Sequence, residues 1–207
     1  MEREQIRQLF GVNFIGKEEL KLFFKALGLG EVEIQEGPIE YSDSDLQSAA
    51  GQGYILIYGI GQINELHLTL KFLRERFGVN PDKSEPCLYN QDWYMKEDFM
   101  DVALNNQWYL IKKEVFENSR AVMPGDLTQQ GLNFPSAILC GYTFFAYWFA
   151  RSEYLWWHDF VWCSDTDHNG DRIYVGKYHD IDGVNKNGFS IHRHLALRPC
   201  YGAITTL

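Results

Sequence analysis

The stretch from Phe134 to Ala150, FPSAILCGYTFFAYWFA, is apolar almost all the way round. A helix with no polar face has to be wrapped on every side, by protein or by lipid. This one stops at Arg151, carries Ser136, Gly141 and Thr143, and falls short of the about 20 residues that cross a bilayer. It reads as a helix buried at the centre of a globular fold, with no membrane span.

The rest of the chain has the means to wrap it. Of 207 residues, 45% are hydrophobic and 15% aromatic, enough to fill a sizeable core. The net charge of −9 disfavours nucleic acid, because phosphate affinity needs a surplus of Lys and Arg on one face. Anionic membrane surfaces are disfavoured on the same ground. The opening MEREQIRQLF lacks the apolar run and small-residue cleavage site of a secretory signal, so the cytoplasm is the expected location. Cys87, Cys140, Cys163 and Cys200 form no C-x-x-C pair and no zinc spacing. Cys140 reads as a buried thiol. A contact between Cys163 and Cys200 across neighbouring strands is compatible with their positions, but a reducing compartment argues against a disulfide.

The first 80 residues alternate helix and strand signals. GKEELKLFFKALGLG sets Leu20, Phe23, Phe24 and Leu27 at helical spacing and ends in glycine. YSDSDLQSAA offers Ser42 or Asp43 as an N-cap. GYILIYGIG reads as a buried strand, and LHLTLKFLRERFG as a helix stopped by Gly78. GVNPDKSEPCLYNQD, rich in turn formers, reads as a linker over 81–92. Beyond it lie all six tryptophans. There EDFMDVAL predicts a short helix, QWYLIKKEV a strand, and SRAVMPGDLTQQGLNFP a loop. HDFVWCS, DRIYVGKYH and SIHRHLALRP predict three closing strands joined by turn-rich segments. In the last, period two puts Ile191, Arg193, Leu195 and Leu197 on one face, a core face apart from Arg193. His192, His194, Ala196 and Arg198 fall on the other. The fold class is α+β, with a small α/β region at 1–80 and a second region at 93–207.

The chemistry-bearing residues gather late. Asp165, Asp167, Asn169 and Asp171 alternate through a turn whose Gly170 matches the first half of an EF-hand loop. The second half does not match: Gly176 stands where a bidentate Glu is required, and no helix follows. These four are candidate calcium ligands, set against an acidic hairpin turn that bonds its own backbone. Asp180, Asp182 or Asn187 from the next turn would be needed to complete a cage. Five of the six histidines lie in the last fifty residues, and His192 with His194 would share a strand face. No G-x-S-x-G elbow accompanies Ser164, and Cys163 reads as a strand thiol. From Trp156 to His194, Trp and Tyr alternate with Asp, Asn, His and Ser, the composition of recognition surfaces.

FVWCSDTD, DRIYVGKYH and NGFSIHRHLALRPC resemble the tryptophan-bearing strand and closing hairpin of bacterial C-type-lectin-like domains, a likeness covering 93–200. The whole chain is also similar to bacterial proteins, of no assigned activity, that carry QDWY- and WYLIKKEV-like stretches before such an ending. Within that superfamily the ending resembles the variable proteins of diversity-generating retroelements, whose C-terminal surface is rich in Asn, Asp, His, Tyr, Ser and Ile; the glycine- and tryptophan-rich signature that precedes their variable segment is not found. The paired catalytic cysteines of the formylglycine-generating relatives have no counterpart here.

The resemblance implies a C-type-lectin-like domain over 93–207 and noncatalytic binding of a protein or carbohydrate by the C-terminal loops. The candidate contact residues are Trp156, Trp157, His158, Asp165, Asp167, Asn169, His192 and His194. No cofactor is expected, calcium being the alternative. Two other readings compete: a metal-dependent enzyme using Asp and His of the same hairpins, and a structural or assembly protein whose late aromatics are all core.

Overall fold

The computed structural model describes residues 1–177, 187–193 and 197–207. In chain order the elements are α1 (Arg3–Phe10), β1 (Phe14–Ile15), α2 (Lys17–Ala26), α3 (Asp43–Gly51), β2 (Tyr54–Gly59), β3 (Gln62–Ile63), β4 (Leu66–His67) and α4 (Leu70–Phe77). Then come β5 (Gln107–Lys112), α5 (Pro124–Gln129), α6 (Ala137–Arg151), β6 (Phe160–Thr166), β7 (Arg172–Lys177), β8 (Phe189–His192) and β9 (Tyr201–Gly202). The class is α+β. No helix among the described residues is long and apolar enough to cross a membrane.

The apolar stretch is α6, and it is central. Every residue from Ala137 to Tyr147 is buried. The helix starts on Ser136, whose Oγ accepts the Leu139 N–H, and ends at Ser152 in a left-handed turn. It packs on α2 and α4 and touches both larger sheets, which is why it needs no polar face. At Gly141 the approach to α4 is so close that a Cβ would stand 2.6 Å from Leu70 Cδ2.

One sheet runs in the order β1-β2-β5, parallel then antiparallel. Its middle strand β2 is buried along its whole length. The other runs β8-β7-β6-β9, with β9 parallel to β6 and the remaining pairs antiparallel. One face of this sheet, with Val161, Cys163, Ile173, Val175 and Ile191, joins the main core under α6. The other face, with Phe160, Trp162, Tyr174 and Tyr201, forms a second core closed by Leu127 and Phe134.

Several local expectations hold. Ser42 caps α3 by accepting the Asp45 N–H, and α4 stops at Gly78, where φ is +70°. Others change. The loop expected at Ser119–Pro135 contains α5, and EDFMDVAL forms only a 3₁₀ turn at Asp98–Asp101. Cys163 meets Cys140 of α6, and all four cysteines are free thiols. The stretch 81–92 is stitched in on both sides: Leu88 N–H donates to Gly78 O, Tyr89 N–H donates to Phe189 O, and Phe189 N–H donates to Cys87 O. The core continues across it, since β5 completes the sheet begun by β1 and β2.

Candidate functional site

The β6–β7 hairpin separates the candidate residues into two groups. Trp156, Trp157 and His158 precede β6, whereas Asp165, Asp167, Asn169 and Asp171 surround the turn at its far end. A strand of this length separates them by roughly 20 Å. His192 lies between, on β8 opposite Tyr174. Its ring stacks on Tyr174 with centroids 5.5 Å apart, and burial pulls its pKa down to about 4. It is uncharged at neutral pH and packs against the second-core rings of Phe160 and Tyr174. His194, Asp180 and Asp182 lie outside the described residues.

At the turn, Asp165 and Asp167 both have partners within the chain. Asp165 Oδ2 accepts the Ala137 N–H at 2.6 Å, at the start of α6. Asp167 Oδ1 accepts the backbone N–H of both Asn169 and Asp171, each at 2.9 Å. The turn is thus closed by its own backbone donors on Asp167 Oδ1.

A different acidic group converges instead. Glu97, Asp167 and His168 bring ligand-type atoms within 4.8 Å of one another. Both carboxylates are buried. Glu97 Oε1 lies 2.6 Å from His168 Nδ1, and Glu97 Oε2 accepts the His168 backbone N–H at 2.9 Å. The fourth member is Arg193, whose Nη1 reaches Asp167 Oδ2 at 2.8 Å and stands 3.8 Å from Glu97 Oε1. Its guanidinium lies over the Trp93 ring at 4.5 Å. Burial raises the Asp167 pKa, but the Arg193 bond and the two backbone donors outweigh it and hold the group down to about 2. Arg193 therefore takes the place a cation would take. The melting temperature should be the same in millimolar calcium and in chelator, since an ion bound only by the folded state would raise it. A calcium-dependent rise in a thermal melt would overturn this assignment.

Glu97 was not among the sequence candidates. The usable signal was Arg193, a charge on an otherwise apolar strand face, which demands a buried counter-charge. The sequence does not say which of the acidic residues supplies it.

At the other end, Trp156–His158 are pinned to the end of β7. Trp157 bridges Lys177, Lys177 N–H donates to Trp156 O, and His158 N–H donates to Lys177 O. Trp156 and His158 have φ of +49° and +69°, conformations that side chains of this size adopt only when neighbours hold them. Trp156 is buried, whereas Trp157 is 49% exposed. Beneath it, the buried Lys177 ammonium lies 5.6 Å from the Trp157 ring and 4.6 Å from the Tyr154 ring, and pairs with Glu85 at 2.8 Å. Both tryptophans line a cleft of about 330 Å³. Across it, Lys113 pairs with Glu153, and Arg120 pairs with Glu117 and Asp159.

No family model, curated protein or solved structure matches this chain.

Proposed function

We propose that the chain is a noncatalytic ligand-binding protein, with a C-type-lectin-like C-terminal half, that recognises a protein or carbohydrate at the cleft beside Trp157. The observation that carries this reading is the half-exposed Trp157 ring at the cleft, flanked on both sides by residues of positive φ, Trp156 and His158. A rigid aromatic anchor bordered by polar groups is the usual centre of a recognition surface. The backbone strain at Trp156 and His158 is a cost that the surrounding contacts offset, as is common where a ring must be presented.

The charged walls favour binding over turnover. Lys113 is buried enough to lose basicity, but its bonds to Glu153 and Tyr147 push its pKa up instead. Arg120 is pushed up by Glu117 and Asp159. Cations held charged in this way do not trade protons near neutrality, as a general acid or base must. The competing metal-dependent enzyme would need the Glu97–Asp167–His168 group, where Arg193 already neutralises the carboxylates.

The test is to screen the folded protein against glycan and peptide arrays, then compare variants on any ligand captured. Trp157→Ala should weaken binding by about 2 kcal/mol, roughly thirtyfold, while Glu114→Gln at the edge should change it little. A captured ligand that binds Trp157→Ala as tightly as the parent, or that is chemically converted, would rule the reading out.

A further inference from the structure

A second surface lies away from this cleft, where residues 31–35 border another one. Their burial alternates: Val32 and Ile34 are half-buried on the core, while Glu31, Glu33 and Gln35 face outward. That is the period of an extended chain. The segment is fixed at both ends. Leu29 N–H donates to Phe24 O at its start. At its end, Glu36 pairs with Arg3 at 2.6 Å and accepts the Lys17 N–H, and Gly37 O accepts from Arg3 and Trp108. Between these anchors, among the described residues, the backbone N–H and C=O groups of Glu31 to Ile34 make no hydrogen bond within the chain. The burial alternation is that of a strand, and the backbone groups are left without partners among the described residues.

Beside it lies a cleft of about 500 Å³, walled on the far side by the end of β2 and by β3. Its polar lining is Glu31, Glu33, Gln35, Gln62, Asn64 and Asn106. No cationic side chain lines it among the described residues, and neither Glu31 nor Glu33 makes an ion pair or hydrogen bond there. Glu31 and Glu33 also border the neighbouring cleft against α2, where Lys21 and Lys25 stand, and Lys21 feels the charge of Glu31 without forming an ion pair with it.

We infer that this segment is a docking edge for an extended basic peptide, which adds to residues 31–35 as a strand and sets alternate Lys or Arg side chains against Glu31 and Glu33. The backbone supplies hydrogen-bond partners for any extended chain. The carboxylates supply the selection. Residues two apart on a strand share a face, so a partner with cations at alternate positions meets both. A second copy of this chain would bring like charges opposite each other and is repelled. An anionic peptide is excluded on the same ground.

The probe is an acetylated, amidated Lys-Val-Lys-Val-Lys peptide, titrated into the intact protein at low salt and followed by calorimetry and amide NMR shifts. Shifts should concentrate at residues 31–35 and 58–64. Replacing both Glu31→Gln and Glu33→Gln, which touches nothing buried, should weaken binding about fivefold to tenfold, and added salt should do likewise. A peptide with the same charges but N-methylated at alternate residues should fail to bind, because it cannot pair its backbone. Equal binding of the N-methylated peptide, or of spermine, would show a mere attraction of cations to an acidic surface and overturn the strand. Binding unchanged in the double variant, or self-association through this edge in sedimentation, would overturn it as well.

Discussion

Aspartate in place of Phe145 should leave no folded protein. The side chain is fully buried, its ring stacked on Phe77 with centroids 4.3 Å apart and edge-on to Phe144 at 5.3 Å. Phe189 of β8 lies 6.0 Å away, so one ring ties α6 to α4 and to the second sheet. Losing a buried phenylalanine costs about 3–5 kcal/mol. An unpaired carboxylate in the same place adds several kcal/mol more, since the phenylalanine rings around it neither donate a hydrogen bond nor neutralise it. The sum reaches the whole stability of an ordinary domain, about 5–15 kcal/mol. The check is near-ultraviolet circular dichroism and urea unfolding of Phe145→Asp beside Phe145→Leu, which keeps most of the volume and should stay folded. A cooperative transition in Phe145→Asp within about 2 kcal/mol of the parent would mean that α6 is not packed as described.

α6 was legible because its signal is local and extreme: an apolar run with Ser136 to start it and Arg151 to end it. β2, α2, α3 and α4 were legible from equally local signals: an apolar run for β2, apolar spacing for α2 and α4, and the Ser42 cap for α3. What stayed hidden is pairing between distant residues. Nothing in QWYLIK says that it will complete a sheet begun by Phe14 and Tyr54, or that Thr206 will bridge Ile111. The turn-rich stretch at 81–92 reads as a linker because it lacks a period, yet backbone bonds to Gly78 and Phe189 hold it in place.

The same limit applies to the site. The alternation of Asp165, Asp167, Asn169 and Asp171 suggests ligands around one ion, but side-chain direction depends on which N–H groups compete for the oxygens. Trp157 was legible as a residue and its partner Trp156 was not distinguishable from it. Only the fold shows that one is core and the other half-exposed.

Removing the guanidinium at position 193 should be the next most costly change. Arg193→Ala leaves Glu97 and Asp167 buried without their cation, and breaking a buried pair from one side costs about 3–5 kcal/mol. The pH dependence separates charge from packing. The Asp167 pKa is depressed in the folded chain, to about 2 from its usual 3.8. Its contribution is therefore complete above the usual value and lost as pH falls through the folded one. In Arg193→Ala the carboxylate loses its main partner, its pKa rises, and acid relieves the uncompensated charge. The penalty should be largest near pH 7 and shrink toward pH 3, as measured by urea unfolding at each pH. Adding Asp167→Asn should recover part of the loss at pH 7, because the buried charge itself is gone. Arg193→Met tests the other contribution, since it keeps apolar contact with the Trp93 ring that the guanidinium covers at 4.5 Å. A penalty that is the same at pH 7 and pH 3, and that Arg193→Met abolishes, would mean that Arg193 holds the 93–97 segment to the hairpin by packing on Trp93 and not by neutralising Asp167.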